Sequence, residues 1–258
     1  MALLQTHELT KRFGGLTAVG GVDFSVEEGE IVGLIGPNGA GKTTFVDLLT
    51  GVQPPTAGRI VFRGHDVTRS ASHERSRLGL ARTFQVPRPF TGVPIRENVM
   101  LGALFGRSGR DIGMRDAEAL AERALERVGL GGQGDRATGS LTTAGRKRLE
   151  VARCLAAEPA LLFLDEPLGG LNPTEVKEAL ALIRELNAAG VTIVFIEHIM
   201  PAVMSVSRRV FVLSDGRKLA EGTPQEILAS PEVQRAYLGD VKGAVDRYRA
   251  AGGRRPAA

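Results

Sequence analysis

Apolar and polar positions along this 258-residue chain fall into three textures. In the first, short apolar runs alternate with turns, which predicts strands at residues 2–10, 22–26, 30–35 and 58–62, the last followed by a turn at Arg63-Gly64-His65-Asp66. The run Thr44-Phe45-Val46-Asp47-Leu48-Leu49 between them is helical. The second texture spans residues 87–139, where glycines punctuate 102–113 and a strong helical pattern over 115–128 stops at Gly129, predicting an inserted helical subdomain. The third returns to alternation: helix 145–157, strand 161–164, helix 173–189, strand 191–196, a hairpin of 210–213 with 218–221 across Ser214-Asp215-Gly216-Arg217, and helix 224–238.

The helix after Asn172 carries the fullest signal, with Asn172 as N-cap, Pro173 at the first position, Glu175 at the third, and Val176, Ala179, Leu180 and Ile183 on one face. Strands alternating with helices predict an α/β fold with a mainly parallel sheet, and a β-rich amino-terminal part as its rim. The chain reads as one domain: residues 1–86 and 140–223 form the core, 87–139 the helical subdomain, and 224–258 a helical appendage and tail.

Between the strand ending at Ile35 and the following helix stands Gly36-Pro37-Asn38-Gly39-Ala40-Gly41-Lys42-Thr43-Thr44. The pattern G-x-x-x-x-G-K-[ST], set between strand and helix, predicts a phosphate-binding loop. Glycines let backbone N–H groups turn inward, the helix presents its positive end, Lys42 reaches the β- and γ-phosphates, and Thr43 can ligate Mg²⁺. The loop in this setting predicts the core of a P-loop NTPase. A second apolar strand, Leu161-Leu162-Phe163-Leu164, ends in Asp165-Glu166, which places one carboxylate toward the metal and a second where it can hold a water for attack on the γ-phosphorus.

Composition narrows the class. Hydrophobic residues make up 43% of the chain, enough for a substantial core. One cysteine, Cys154, sits in a helical stretch and reads as a buried apolar residue, which suits a reducing cytoplasm. No apolar run approaches the roughly 20 residues that span a bilayer. The net charge of +4 is spread along the chain; Arg146-Lys147-Arg148 reads as a solvated helix face, and Arg254-Arg255 lies in a Gly/Pro/Ala tail, so no nucleic-acid partner is expected.

Together with Thr83-Phe84-Gln85 and with Glu197-His198 after a β-run, these motifs resemble the nucleotide-binding subunits of ABC transporters, and the resemblance covers nearly the whole chain. It implies ATP and Mg²⁺ as cofactors. It gives Gln85 a contact to Mg²⁺ and the attacking water, His198 a contact to the γ-phosphate, and Gly169-Gly170-Leu171-Asn172 a place linking two sites across a dimer. Phe13 corresponds to the aromatic that stacks on adenine, although an isolated Phe is as often core. The segment Leu141-Thr142-Thr143-Ala144-Gly145 departs from the usual L-S-x-G-Q signature: Thr142 keeps a hydroxyl, Ala144 adds a methyl, and Gly145 lacks a polar side chain.

Within the family, Lys11-Arg12-Phe13-Gly14-Gly15-Leu16, Ile196-Glu197-His198-Ile199-Met200, Ala220-Glu221-Gly222-Thr223-Pro224 and Ala236-Tyr237-Leu238-Gly239 resemble the branched-chain amino acid and amide/urea uptake group. The resemblance implies an ATPase peripheral to the inner face of the cell membrane, working with transmembrane permease subunits, a second ABC ATPase and, indirectly, a solute-binding protein. The altered signature favours a heterodimer, with a homodimer as the other arrangement. Lipopolysaccharide export and non-transport ABC ATPases are the alternatives.

Overall fold

The computed structural model describes residues 2–106 and 112–237. In chain order it forms β1 (Ala2–Phe13), β2 (Leu16–Glu27), β3 (Ile31–Ile35), α1 (Lys42–Leu49), β4 (Ala57–Phe62), β5 (His65–Asp66), α2 (Ser72–Arg77) and β6 (Leu80–Arg82). These are followed by α3 (Ile95–Phe105), α4 (Met114–Arg127), α5 (Thr143–Ala156), β7 (Leu161–Asp165), α6 (Pro173–Ala188), β8 (Thr192–Ile196), α7 (Met200–Val206), β9 (Arg209–Ser214), β10 (Arg217–Gly222) and α8 (Pro224–Ala229).

Two sheets result. The amino-terminal sheet is antiparallel with order β2-β1-β4-β5, and the larger has order β10-β9-β3-β8-β7-β6. Every pair in the larger sheet is parallel except β10 with β9. Strands β3, β7 and β8 are buried throughout, as strands covered on both faces must be. Alternate residues feed two cores. Val32, Leu34, Leu161, Phe163, Val194 and Ile196 face α1 and the antiparallel sheet. Ile31, Ile35, Leu162, Leu164, Ile193 and Phe195 belong to the core built with α3, α4 and α5.

Helix α1 is therefore held between two sheets. Phe45 meets Phe24 of β2 edge-on at 5.4 Å, and Phe24 meets Phe211 of β9 at 5.0 Å. The far end of α1 is closed by Arg75 of α2, which is 1% exposed. Its guanidinium donates to the carbonyls of Leu48 at 2.6 Å, Leu49 at 2.8 Å, Ser70 at 3.1 Å and Thr68 at 3.3 Å. A buried cation thus meets the carbonyl-rich, negative end of the helix. Burial lowers its pKa to about 10, still far above neutrality.

The expected elements are present with several corrections. The first hairpin is longer than the sequence pattern showed, running to Phe13 and resuming at Leu16. Only Arg63-Gly64 turns, since His65 and Asp66 pair with β4. Helix α5 starts at Thr143 rather than 145. The helix expected over 224–238 breaks at Ser230, where residue 231 is proline, and resumes over 231–237. Helices α2, α3 and α7 and strand β6 were not anticipated. In α3, Gly102 looks like punctuation, yet a Cβ there would lie 2.1 Å from the Arg153 carbonyl, so the glycine permits close approach to α5. Cys154 is buried, which pushes its thiol pKa up to about 12 and leaves it inert. Leu238, Gly239 and the tail with Arg254 and Arg255 lie outside the described residues. Among those described, no helix is long and apolar enough to cross a membrane.

Replacing Arg75 with Met should leave the Leu49 carbonyl buried without its donor and the Leu48 carbonyl with the longer Gly51 N–H bond at 3.3 Å, costing on the order of 3 kcal/mol. Thermal unfolding should show a melting temperature lower by roughly 6–12 °C. A change under about 2 °C would show that water or another donor replaces the guanidinium at no net cost.

Candidate functional site

The carboxyl ends of β3, β7 and β8 deliver three chemical groups to one place: the loop 36–43, the pair Asp165-Glu166, and Glu197-His198. Parallel strands share a direction, so motifs far apart in sequence finish at one edge of the sheet. Glu166 N–H donates to the Ile196 carbonyl at 3.0 Å, which locks the ends of β7 and β8 together.

Loop 36–43 is pressed against its neighbours. A Cβ on Gly36 would sit 2.2 Å from the Leu213 carbonyl, and one on Gly41, where φ is +94°, would sit 2.4 Å from the Ala18 carbonyl. The β9–β10 turn braces the loop through the Gly216 N–H on the Ala40 carbonyl at 3.0 Å. Gly41, the N-cap of α1, offers no side-chain cap, so the helix presents its first N–H groups to a ligand. Lys42 Nζ donates to the carbonyls of Gly36 at 2.7 Å and Pro37 at 3.0 Å, which keeps the ammonium inside the loop. Burial lowers its pKa, and the charges of Glu166 and Asp165 oppose that shift.

Asn38, Gly39, Ala40, Gly41, Lys42, Thr43 and Thr44 line one wall of a cleft of about 640 Å³, with Gln85 and Glu166 across it. Phe13 and Leu16, at the tip of the first hairpin, line its rim; Phe13 is 46% exposed, with the Lys11 ammonium 5.1 Å from its ring centroid. An exposed ring beside a phosphate loop is placed to receive a base.

Gln85 Nε2 donates to Glu166 Oε2 at 2.7 Å, and His198 Nδ1 lies 4.0 Å from Glu166 Oε1. Glu166 has φ of +44°, a left-handed conformation that costs a non-glycine residue about 1–3 kcal/mol. Its backbone is held there from both sides, by Ile196 on its N–H and by Lys147 Nζ on its carbonyl at 2.7 Å. Asp165 sits one residue earlier and is nearly buried. Arg82 of β6 holds its Oδ2 at 2.8 Å while its other nitrogen holds Asp47 of α1 at 2.5 Å. One guanidinium thus ties the phosphate-loop helix to the end of β7, and Asp165 Oδ1 is left for other work. Thr43 and Gln85 line the cleft, while Asp165, held by Arg82, ends β7 beside Glu166; they offer a hydroxyl, an amide oxygen and a carboxylate. Such a set fits Mg²⁺, which takes one or two protein groups and completes its shell with water and phosphate oxygens.

Three residues at the site have roles that sequence reasoning did not assign. Lys147 belongs to the basic run expected on a solvated face, but only Arg146 of the three is exposed. Lys147 points inward to Glu166, and Arg148 pairs with Glu178 of α6. Arg82 looks like a strand residue with no motif. Glu197 is 0% exposed, and burial raises its pKa against the N–H groups of Leu168, at 2.9 Å, and His198, at 3.1 Å, which donate to it. It therefore fixes both the segment 167–172 and the histidine.

Thr142, Ala144 and Gly145 do not join the cleft. Thr142 caps α5, its Oγ1 accepting from Gly145 N–H at 3.1 Å, and Ala144 lines a separate groove with Lys147, Pro167 and Leu171. A third groove, of about 440 Å³, opens between α2, β6, α3 and α5. Phe84, Phe90 and Phe105 line it and are 49%, 50% and 67% exposed, an apolar surface unusual in a protein without partners.

Known proteins resemble this chain along most of its length. The profile of a family described as ABC transporter matches residues 19–169, and one described as branched-chain amino acid ATP-binding cassette transporter matches residues 217–242. The chain is 43% identical over 250 residues to the high-affinity branched-chain amino acid transport ATP-binding protein LivG of Salmonella typhimurium, covering 92% of this chain and 98% of the relative. Identity to BraF of Pseudomonas aeruginosa, which carries the same description, is 41% with the same coverage. The solved ADP conformation of MJ1267, an ATP-binding cassette of an ABC transporter, superposes with a TM-score of 0.84 at 30% identity, over 93% of this chain and 99% of that one.

Lowering of the Lys42 pKa gives a pH test. Nucleoside triphosphate affinity should weaken as pH rises through a window below 10.5, the ordinary lysine value, because binding then requires uptake of a proton. Lys42→Ala should bind roughly 10- to 100-fold more weakly and lose this alkaline limb. Fluorescence titration of a labelled nucleotide across a pH series reads both, and a limb that persists in Lys42→Ala would assign it to another group.

Proposed function

Because the chain belongs to the ABC transporter family of ATP-binding proteins, and is therefore an ATP-hydrolysing cassette, we propose that it powers import of branched-chain amino acids or closely related small solutes. The observation that carries the ATPase chemistry is Gln85 bonded to Glu166 across the cleft from Lys42 and Thr43. The solute class rests on likeness along the whole chain to LivG and BraF and on the match over residues 217–242. Motifs at 11–16, 196–200 and 220–224 point the same way.

In this reading the amides of 36–43 and Lys42 hold the phosphates, and Phe13 stacks on the adenine. Thr43, Asp165 and Gln85 hold Mg²⁺, which when bound supplies positive charge against the phosphate oxygens. Glu166 accepts a proton from the attacking water, Gln85 orients that water, and His198 donates to a γ-phosphate oxygen as negative charge grows there. The strained backbone of Glu166 aims the carboxylate without reorganisation during the reaction.

Thr142, Ala144 and Gly145 stand outside this chain's own cleft, which suits action on the phosphate of a second ATPase packed face to face. The methyl of Ala144 makes that action weaker than a glycine would, so the partner is a related ATPase with an unaltered signature. The exposed phenylalanines of the α2–α3–α5 groove receive a segment of a transmembrane permease, with the chain on the inner face of the membrane. A solute-binding protein meets the permease rather than this chain.

Glu166→Gln should bind ATP normally and hydrolyse it on the order of 10²- to 10⁴-fold more slowly, because the carboxylate acts on water and not on nucleotide. A tagged Glu166→Gln chain loaded with ATP should consequently retain its assembly, and the proteins isolated with it should include permease subunits and a second, different ATPase. Native turnover in this variant would remove Glu166 from its role. Recovery of a homodimer alone would defeat the heterodimer.

A further inference from the structure

The segment that carries Gln85 has almost no regular structure between β6 and α3, yet Gln85 must present its amide to Glu166 within hydrogen-bonding distance. What fixes it is a helix from another part of the chain. Glu150 of α5 is 5% exposed, and its two carboxylate oxygens divide between two backbone donors: Phe84 N–H on Oε2 at 3.0 Å and Arg88 N–H on Oε1 at 2.9 Å. The carboxylate brackets Gln85 from both sides. One turn further along the helix, Arg153 Nη1 donates to the Arg88 carbonyl at 3.1 Å, and its guanidinium lies 4.9 Å from the centroid of the Phe90 ring. Three polar contacts and one ring contact therefore bind residues 84–90 to α5. Further ties include Thr83 N–H on the Phe163 carbonyl at 2.9 Å, Arg82 over the Phe84 ring at 5.3 Å, and Asn98 of α3, which accepts from Phe90 N–H at 2.7 Å and donates to the Phe90 carbonyl at 3.1 Å.

We infer that Glu150 is a positioning residue for ATP hydrolysis: it fastens the Gln85 loop to α5, so that Gln85 meets Glu166 only when α5 is in register with the end of β7. The inference rests on the role given above to Gln85. A carboxylate is the side chain this task needs, because it offers two acceptors and no donor to two part-buried N–H groups. An amide in its place offers one acceptor and sets an NH₂ against the second N–H, leaving a loop donor unpaired and pushing the loop away. Helix α5 also begins at Thr142, its N-cap, so the group expected to meet the partner's ATP and the clamp on Gln85 lie on one rigid element. Movement of α5 at the dimer face is then transmitted to the Gln85–Glu166 contact through Glu150, and the groove lined by Phe84 and Phe90 lies on the same linkage.

The test is a double-mutant cycle on the full-length chain, with kcat and KM for ATP measured for native, Glu150→Gln, Gln85→Ala and the double variant. Displacing the loop by a fraction of an ångström should lower kcat about tenfold and leave KM within about twofold. Gln85→Ala should also slow turnover, and adding Glu150→Gln to it should cost nothing more, because there is no Gln85 left to misplace. If Glu150→Gln slows turnover equally in both backgrounds, or lowers the melting temperature without changing kcat, Glu150 is a structural residue and the proposal fails. If Gln85→Ala turns over at the native rate, the role of Gln85 is itself wrong, an outcome distinct from failure of the clamp alone. Should Glu150→Gln not fold, Arg153→Met removes the grip on the Arg88 carbonyl; a slowing of about threefold that vanishes in the Gln85→Ala background supports the clamp, and an unchanged slowing overturns it.

Discussion

Close contact between the phosphate loop and two neighbouring carbonyls governs the rest of the molecule. Gly36 lies against Leu213 at the end of β9 and Gly41 against Ala18 of β2, at separations that admit no side chain. The loop is thereby pinned between the parallel sheet and the antiparallel one, and the helix that follows it must run between them. The two sheets together bury Phe45, Val46, Leu48 and Leu49 of α1, and Arg75 closes its far end. The two-sheet architecture is thus the means by which a short helix is held still with its uncapped end toward the cleft.

Charge is arranged around that fixed point by residues drawn from many elements. Arg82 shares itself between Asp47 and Asp165, so the phosphate-loop helix and the acid-bearing strand cannot shift independently. Lys147 and Ile196 hold the backbone of Glu166 in a strained conformation. Glu197, buried and hydrogen-bonded to the chain before α6, ties the histidine strand to the segment beyond Glu166. Breaking one of these links leaves a buried charge or carbonyl without its partner, which is costly in a low-dielectric interior. The same property lets the site respond as a unit to motion of α5 or to occupation of the phenylalanine-lined groove.

The phosphate loop, the Asp165-Glu166 pair and the α6 capping box were legible because each is a local signal, written within nine residues or fewer of chain. The capping box is present as read, with Asn172 Oδ1 accepting from Thr174 and Glu175 N–H and Glu175 returning a bond to the Asn172 N–H. Arg82, Lys147, Glu150 and Glu197 were not legible as site residues, because their roles depend on partners distant in sequence. Arg82 and Asp165 are 83 residues apart, and Glu150 and Phe84 are 66 apart. Basic residues in a run such as Arg146-Lys147-Arg148 carry no mark of which one turns inward. Helix α3 was hidden by Gly102, whose reason for being glycine is the backbone of α5. Short helices α2 and α7 have too few turns for their periodicity to stand out.

In the function proposed above, ATP hydrolysis at Glu166 is tied through α5 and its neighbouring groove to movement of a small aliphatic amino acid across a membrane. The most direct test is ATP-driven uptake of radiolabelled leucine into vesicles that contain this chain with its co-isolated membrane partners. Leucine should accumulate with the native chain and not with Glu166→Gln under saturating ATP. Vigorous ATP hydrolysis without uptake of any branched-chain amino acid, or equal leucine accumulation by the Glu166→Gln assembly, would contradict it.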